Sequence, residues 1–361
     1  MATTYAIPDG RVAFNISLSN TGTTANGGGV AKVISGLAFQ PDMVWSKNRS
    51  SSTNARWGVI DSVRGVNKTI ATNLTNAEVT SQTDLLTSFN SDGANIGADA
   101  GGYGWNWNQQ SGASDNYAYW LWKAGGTAVS NTAGSITSSV SANTTAGFSV
   151  VTYTGTGANA TVGHGLGVAP SMVIVKSRSV VENWPVYHAS MNASPATGRL
   201  ILDGTAAFTS SPTTWNNTAP TSTVFSIGTA SAPNTNASTN VAYCFAPVAG
   251  YSAFGSYTGN GSNDGPFIYT GFRPRFLLIK NTTTAGTNWE IWDSARDLYN
   301  VESNRLYPDS SAAESTGQSA YDFLSNGFKA RQGGATDSNQ SGATIVYAAF
   351  GETAFKFSNA R

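Results

Sequence analysis

Three stretches of the chain are copies of one another, which restricts it to folds built from one unit used three times. The first runs Gly36, Phe39, Pro41, Met43-Val44-Trp45, Lys47. The second runs Gly167, Pro170, Met172-Val173-Ile174-Val175, Lys176, and the third Gly271, Phe272, Pro274, Phe276-Leu277-Leu278-Ile279, Lys280. Proline and lysine stand six residues apart in all three. A tryptophan follows each lysine, Trp57, Trp184 and Trp289, at 10, 8 and 9 residues. A second echo closes each copy: Ala118-Tyr119-Trp120-Leu121-Trp122, Ala242-Tyr243-Cys244-Phe245 and Val346-Tyr347-Ala348-Ala349-Phe350. Its tyrosine lies 78, 73 and 73 residues beyond the proline. A period near 100 residues is the length of a small domain, whereas solenoid repeats run about 20–50 residues.

The landmarks divide the chain into copies at 1–124, 147–249 and 250–361. Residues 125–146 are mostly Gly, Ser, Thr, Asn and Ala without an aromatic, and read as a linker or an extended connecting strand. Copies two and three adjoin without a spacer, so they are expected to pack closely. Both open on Tyr-Thr-Gly-x-Gly, at Tyr153 to Gly157 and Tyr257 to Gly261; copy one keeps a blurred version near Phe14 to Gly22.

Charged residues make up 11% of the chain, against about 25% in an average soluble protein. Ser, Thr, Asn and Gly must therefore carry the surface, and these residues do poorly in helix interiors. The apolar runs at Met43–Lys47, Met172–Lys176 and Phe276–Lys280 have strand length and polar or proline borders. Asn90-Ser91-Asp92-Gly93 and Ser325-Asn326-Gly327 are hairpin turns in type. One short helix is conceivable at Ser310–Glu314. The expected fold is all-β: three tandem antiparallel β-sandwich domains of jelly-roll type.

Twenty acids balance twenty bases, and no basic run tracks a phosphate backbone, so nucleic acid is not an expected partner. A neutral surface with few charges favours self-association. Met1 to Asp9 lacks a signal pattern, and no stretch reaches the roughly 20 apolar residues of a membrane helix. The single cysteine, Cys244, sits in an apolar run and reads as a buried small hydrophobe.

The sharpest site candidate is Trp-x-x-x-Asp-Ser-x-Arg, present as Trp57…Asp61-Ser62-Val63-Arg64 and Trp289…Asp293-Ser294-Ala295-Arg296. Exposed, such an Asp and Arg would suit holding a sugar or polarising a water. Copy two replaces them with His188 and Met191, a loss that a structural ion pair tolerates better than a site does. Asp61–Arg64 and Asp293–Arg296 are accordingly expected to be structural pairs. The second candidate is Trp105 and Trp107 in Gly104-Trp105-Asn106-Trp107-Asn108-Gln109. On a strand, both rings would face one way among amides, as for stacking on a glycan or a neighbouring subunit, unless the pair faces the core. His164 and His188 complete no catalytic triad and no metal set. No carboxylate pair stands out for glycoside hydrolysis. Gly27-Gly28-Gly29 and Gly155-Thr156-Gly157 lack the helix and Lys-Ser/Thr pair of a phosphate loop. The turns at Asn90–Asp92 and Asn263–Asp264 lack the spacing of a dedicated calcium loop. No enzyme activity, cofactor or metal is expected.

Three further stretches carry a resemblance. They are Trp289-Glu290-Ile291-Trp292-Asp293-Ser294-Ala295-Arg296; Tyr257 to Gly261 with Gly265-Pro266-Phe267-Ile268-Tyr269-Thr270-Gly271-Phe272; and Trp122-Lys123-Ala124-Gly125-Gly126-Thr127 with Gly163-His164-Gly165-Leu166-Gly167. Together they resemble a repeat family of tailed-bacteriophage virion proteins, many of them marine, with lectin-like sandwich repeats. The resemblance implies a structural protein of the virion surface, as a head decoration, short tail appendage or fibre component, made in the host cytoplasm without a signal peptide. Its partners would be other virion proteins and further copies of itself, a homotrimer above all. The alternative is a receptor-binding module that recognises a host surface glycan; a polysaccharide-acting enzyme is the third and least supported reading.

Overall fold

A computed structural model describes residues 5–22, 27–51, 56–108 and 114–354. Met1–Thr4 and Gln109 of the segments considered above lie outside them. Strands dominate. Among the described residues the one α-helix is the four-residue Ser231–Asn234. Ser310–Glu314 is a bend and irregular chain rather than helix. The carbonyls of Ser310 and Ser311 accept from Trp57 and Lys47 of copy one, and the Glu314 amide donates to Arg49. The backbone there serves another copy, so it does not close a helical turn on itself.

Each copy contributes one main sheet, antiparallel throughout, in the same strand order: opening, closing, lysine, tryptophan. In copy one these strands are Phe14–Asn20, Asn116–Trp122, Met43–Asn48 and Trp57–Asp61. In copy two they are Phe148–Thr154, Thr239–Phe245, Met172–Ser177 and Pro185–His188. In copy three they are Ser252–Thr258, Thr344–Ala354, Phe272–Asn281 and Trp289–Asp293. Lys47 pairs with Trp57, and Lys280 with Trp289. Met172 pairs with His188, a register that sets Lys176 beside Trp184. The three lysine strands thus occupy equivalent places.

The closing echo needs one correction. Met43, Met172 and Phe276 pair with Trp122, Phe245 and Phe350. Counting back, Tyr243 is the counterpart of Trp120 and Ala348, not of Tyr119 and Tyr347. A slip of one residue on a strand turns a side chain to the opposite face. Tyr119 and Tyr347 therefore pack inside their own copies, while Tyr243 faces the other copies.

The outward face of each main sheet packs on a smaller sheet. In copy one, Val44, Ile60, Tyr119 and Leu121 share a core with Ile34, Leu86 and Ile96. In copy three, Leu277, Ile279 and Tyr347 meet Ile268, Phe323 and Phe328. In copy two, Val173, Val175 and Cys244 meet Val162, Phe225 and Ile227. Cys244 is buried as expected, and burial pushes its thiol pKa up to about 12. The segment 125–146 is a connecting pair of strands: Val129–Asn131 and Ser138–Asn143 extend the opening edge of copy two, Asn143 pairing with Phe148.

The inward faces of all three main sheets share one core. At its centre the equivalent residues Trp122, Phe245 and Phe350 form a triangle with ring separations of 6.4, 5.8 and 5.9 Å. Equivalent residues in mutual contact place the copies around a pseudo-threefold axis. Large aromatics bury 150–250 Å² each, so this hub dominates the packing energy. Truncating Trp122 to Ala is expected to cost about 3–5 kcal/mol. Tyr269→Ala, on the outer face and 63% exposed, should stay within about 0.5 kcal/mol of the parent. Denaturant unfolding of the two variants checks this; similar values for both would count against a central hub.

Candidate functional site at the junction of the copies

After its tryptophan strand, each copy sends the chain that follows over the tryptophan of the next. The Trp184 indole of copy two donates to the Ala71 carbonyl of copy one at 3.1 Å. Trp289 of copy three donates to Ile201 of copy two at 2.8 Å. Trp57 of copy one donates to Ser310 of copy three at 3.0 Å, which closes the circle. All three indoles are buried as expected, but in the shared core rather than each within its own copy. The repeated lysines end the same strands. Lys47 donates to Ser311 of copy three at 3.0 Å, and Lys176 to Thr75 of copy one at 2.7 Å. Lys280 turns to Thr287 of its own copy. Burial pulls the ammonium pKa down to about 7 for Lys47 and about 8 for Lys176, and lowers Lys280 as well.

The Asp–Arg motifs sit on these seams. Arg64 Nε donates to Asp61 at 2.5 Å and Arg296 Nε to Asp293 at 2.6 Å, all four side chains fully buried. Each pair reaches across to its neighbour. The Tyr243 hydroxyl of copy two donates to Asp61 at 2.8 Å; the Trp120 indole of copy one donates to Asp293 at 3.0 Å. Glu78 then bridges Arg64 to Arg178 of copy two, both at 2.8 Å. Glu314 bridges Arg296 to Arg49 of copy one, at 2.8 and 2.7 Å. Burial works against both inner guanidinium charges, yet Asp61, Tyr243 and Glu78 around Arg64, and Asp293 and Glu314 around Arg296, leave their pKa values raised.

Among the described residues, the seam between copies two and three carries no ion pair. His188 takes the aspartate position, and its Nε2 lies 3.1 Å from the Tyr347 carbonyl. Met191 takes the arginine position, Ala348 the Trp120 position, and Phe208 donates its amide to Thr282 where Glu78 and Glu314 meet Arg178 and Arg49. The whole network is replaced together. Half of it would leave a buried charge unpaired, which is strongly destabilising.

The other sequence candidates lie away from the junction. Trp105 is fully buried in copy one, its indole donating to Thr69 at 3.0 Å, so it cannot stack on a glycan. It precedes the two-residue strand Trp107–Asn108, and the alternation that would align the two rings is not realised. Trp107 is half-buried, its carbonyl accepting from Tyr117. His164 is buried against the Thr221 carbonyl. Among the described residues no cluster of three or more His, Cys, Asp or Glu could hold a metal. The seam roles of Trp120, Tyr243, Glu78, Glu314, Arg49 and Arg178 escaped the sequence analysis, although Trp120 and Tyr243 stood in its closing echo. The arginines carried a further signal, since each stands two residues beyond a repeated lysine. The charges of the two Asp–Arg networks are paired inside the protein, and chemically the arrangement holds three sheets together.

Asp293→Ala is therefore expected to cost about 3–5 kcal/mol, because it leaves the buried Arg296 Nε and Trp120 indole N–H without their acceptor; chemical denaturation measures it, and a loss near zero would refute the pairing. Acid should weaken the seam of copies two and three. Burial lowers the His188 pKa to about 4, with the Tyr347 carbonyl working the other way. Unfolded chains take up this proton near pH 6.5, so stability falls as pH drops from about 6.5 towards 4, by up to about 3 kcal/mol. Unfolding across that range should show the slope in the parent and a shallower one in His188→Gln.

One family model matches residues 19–354, a span that takes in all three copies. No curated protein and no solved structure matches the chain. With the match covering the three-copy ring as one unit, the chain belongs to the family described as Domain of unknown function (DUF7483).

Proposed function

We propose that the chain is a non-enzymatic building block of the tailed-phage virion surface, a head decoration or short tail appendage made of three lectin-like β-sandwich domains closed into a ring. One observation carries the structural part: the residues repeated among the copies, together with the buried charges, are used to bind copy to copy. The virion setting rests on the resemblance of Trp289–Arg296 and the related stretches. A neutral exterior rich in Ser, Thr and Asn suits a component that lies among others.

The threefold closure that sequence suggested between chains is available within one. A head-to-tail interface that closes on itself stops growing. We therefore propose the single chain as the unit of assembly, with contacts to other virion proteins made by outer faces. Light scattering should return a mass near 37.5 kDa; a stable trimer of chains would restore the homotrimer. Immunogold labelling of purified particles should mark head or tail, and unlabelled particles would overturn the virion assignment. Host-glycan recognition is the second reading; the half-buried Trp107 is what remains of its original motif.

A further inference from the structure

Near the junction, one arginine lies outside the ion-pair networks. Arg56 precedes the tryptophan strand of copy one, and its guanidinium lies over the Tyr103 ring, 5.0 Å from the centroid. Among the described residues it forms no ion pair, unlike Arg49, Arg64, Arg178 and Arg296. It opens on a cleft of about 260 Å³ at the seam of copies one and two. Leu74 and Val79 wall the cleft from copy one, Val181 from copy two, and Asn76 stands at its edge. The cleft follows from the seam itself. Glu78 is drawn inward by Arg64 and Arg178, and the chain on either side of it forms the wall. Val181 is 67% exposed.

We propose that this cleft binds an acidic sugar unit, a pyranose ring that carries a carboxylate. The guanidinium, set over the Tyr103 ring, presents a planar fork that matches a carboxylate. Leu74, Val79 and Val181 suit the C–H face of a sugar ring, and the Asn76 amide suits its hydroxyls. Charge selects the acidic member of the class. A neutral sugar leaves Arg56 to water, and a bare inorganic anion makes no use of the apolar walls. The ligand would touch both copies, so its binding is linked to the stability of the ring. This goes beyond the structural role and holds whether or not the chain resides in a virion.

Galacturonate and galactose, which differ at one carbon, are the probes. Both are titrated into the full chain by calorimetry, with acetate as a third arm. Galacturonate is expected to bind at least about tenfold more tightly than galactose, as a charge-assisted hydrogen bond allows. It should also raise the unfolding temperature. Arg56→Gln should erase the preference, and so should Val181→Asp, which puts a carboxylate in the cleft at an exposed position and should leave folding intact. Equal affinity for the two sugars, a preference that survives Arg56→Gln, or no binding of either at millimolar concentration would overturn the proposal. Acetate binding as tightly as galacturonate would reduce the site to a bare cation and overturn the sugar assignment.

Discussion

A buried indole N–H is costly without an acceptor, and for Trp57, Trp184 and Trp289, one at each seam of this protein, the acceptor is a backbone carbonyl of another copy. The rest of the structure depends on that exchange. Each main sheet carries one face of large apolar side chains with no cover from its own copy. Trp45, Trp57, Trp120 and Trp122 would lie open if copy one stood alone. The three faces bury one another, and the segments that follow the tryptophan strands fix how. Because each segment reaches to the next copy in the same sense, the arrangement is head-to-tail and closes after three.

The seams are equivalent in backbone and different in chemistry, and the difference follows the connections. Copies two and three adjoin in sequence, with Phe245 ending one main sheet and Ser252 beginning the next. A short tether holds their surfaces at high effective concentration, and among the described residues this seam carries no ion pair. Copies three and one have no direct connection, and their seam carries the Asp293–Arg296–Glu314–Arg49 network. Copies one and two are joined through the strands of 125–146, and their seam carries Asp61–Arg64–Glu78–Arg178. Charge-assisted bonds are directional, so they fix the mutual orientation of surfaces that a short tether does not.

Much of the fold was legible because strands leave a period in sequence and the triplication supplied its own controls. The spacing of proline, lysine and tryptophan located the same three strands in each copy. Tyr243 was misplaced by one residue because tyrosine identity outweighed register; the sequence held two tyrosines on one face and one on the other, and only pairing with Ile174 separates them. The Asp–Arg motifs form buried pairs, as their spacing allowed, but their purpose was not visible. It depends on Tyr243 and Trp120 arriving from other copies, 182 and 173 residues away. Trp105 and Trp107 misled because alternation implies a shared face only within a strand, and the strand begins at Trp107.

The central claim is that three copies form one cooperative unit through a common core. Scanning calorimetry of the parent and of Trp289→Ala tests it most directly. If the ring is the folding unit, the parent unfolds in one transition whose calorimetric and van't Hoff enthalpies agree, and the substitution moves that whole transition to lower temperature. Three resolved transitions, of which Trp289→Ala shifts one and leaves two in place, would mean independent domains and contradict the account.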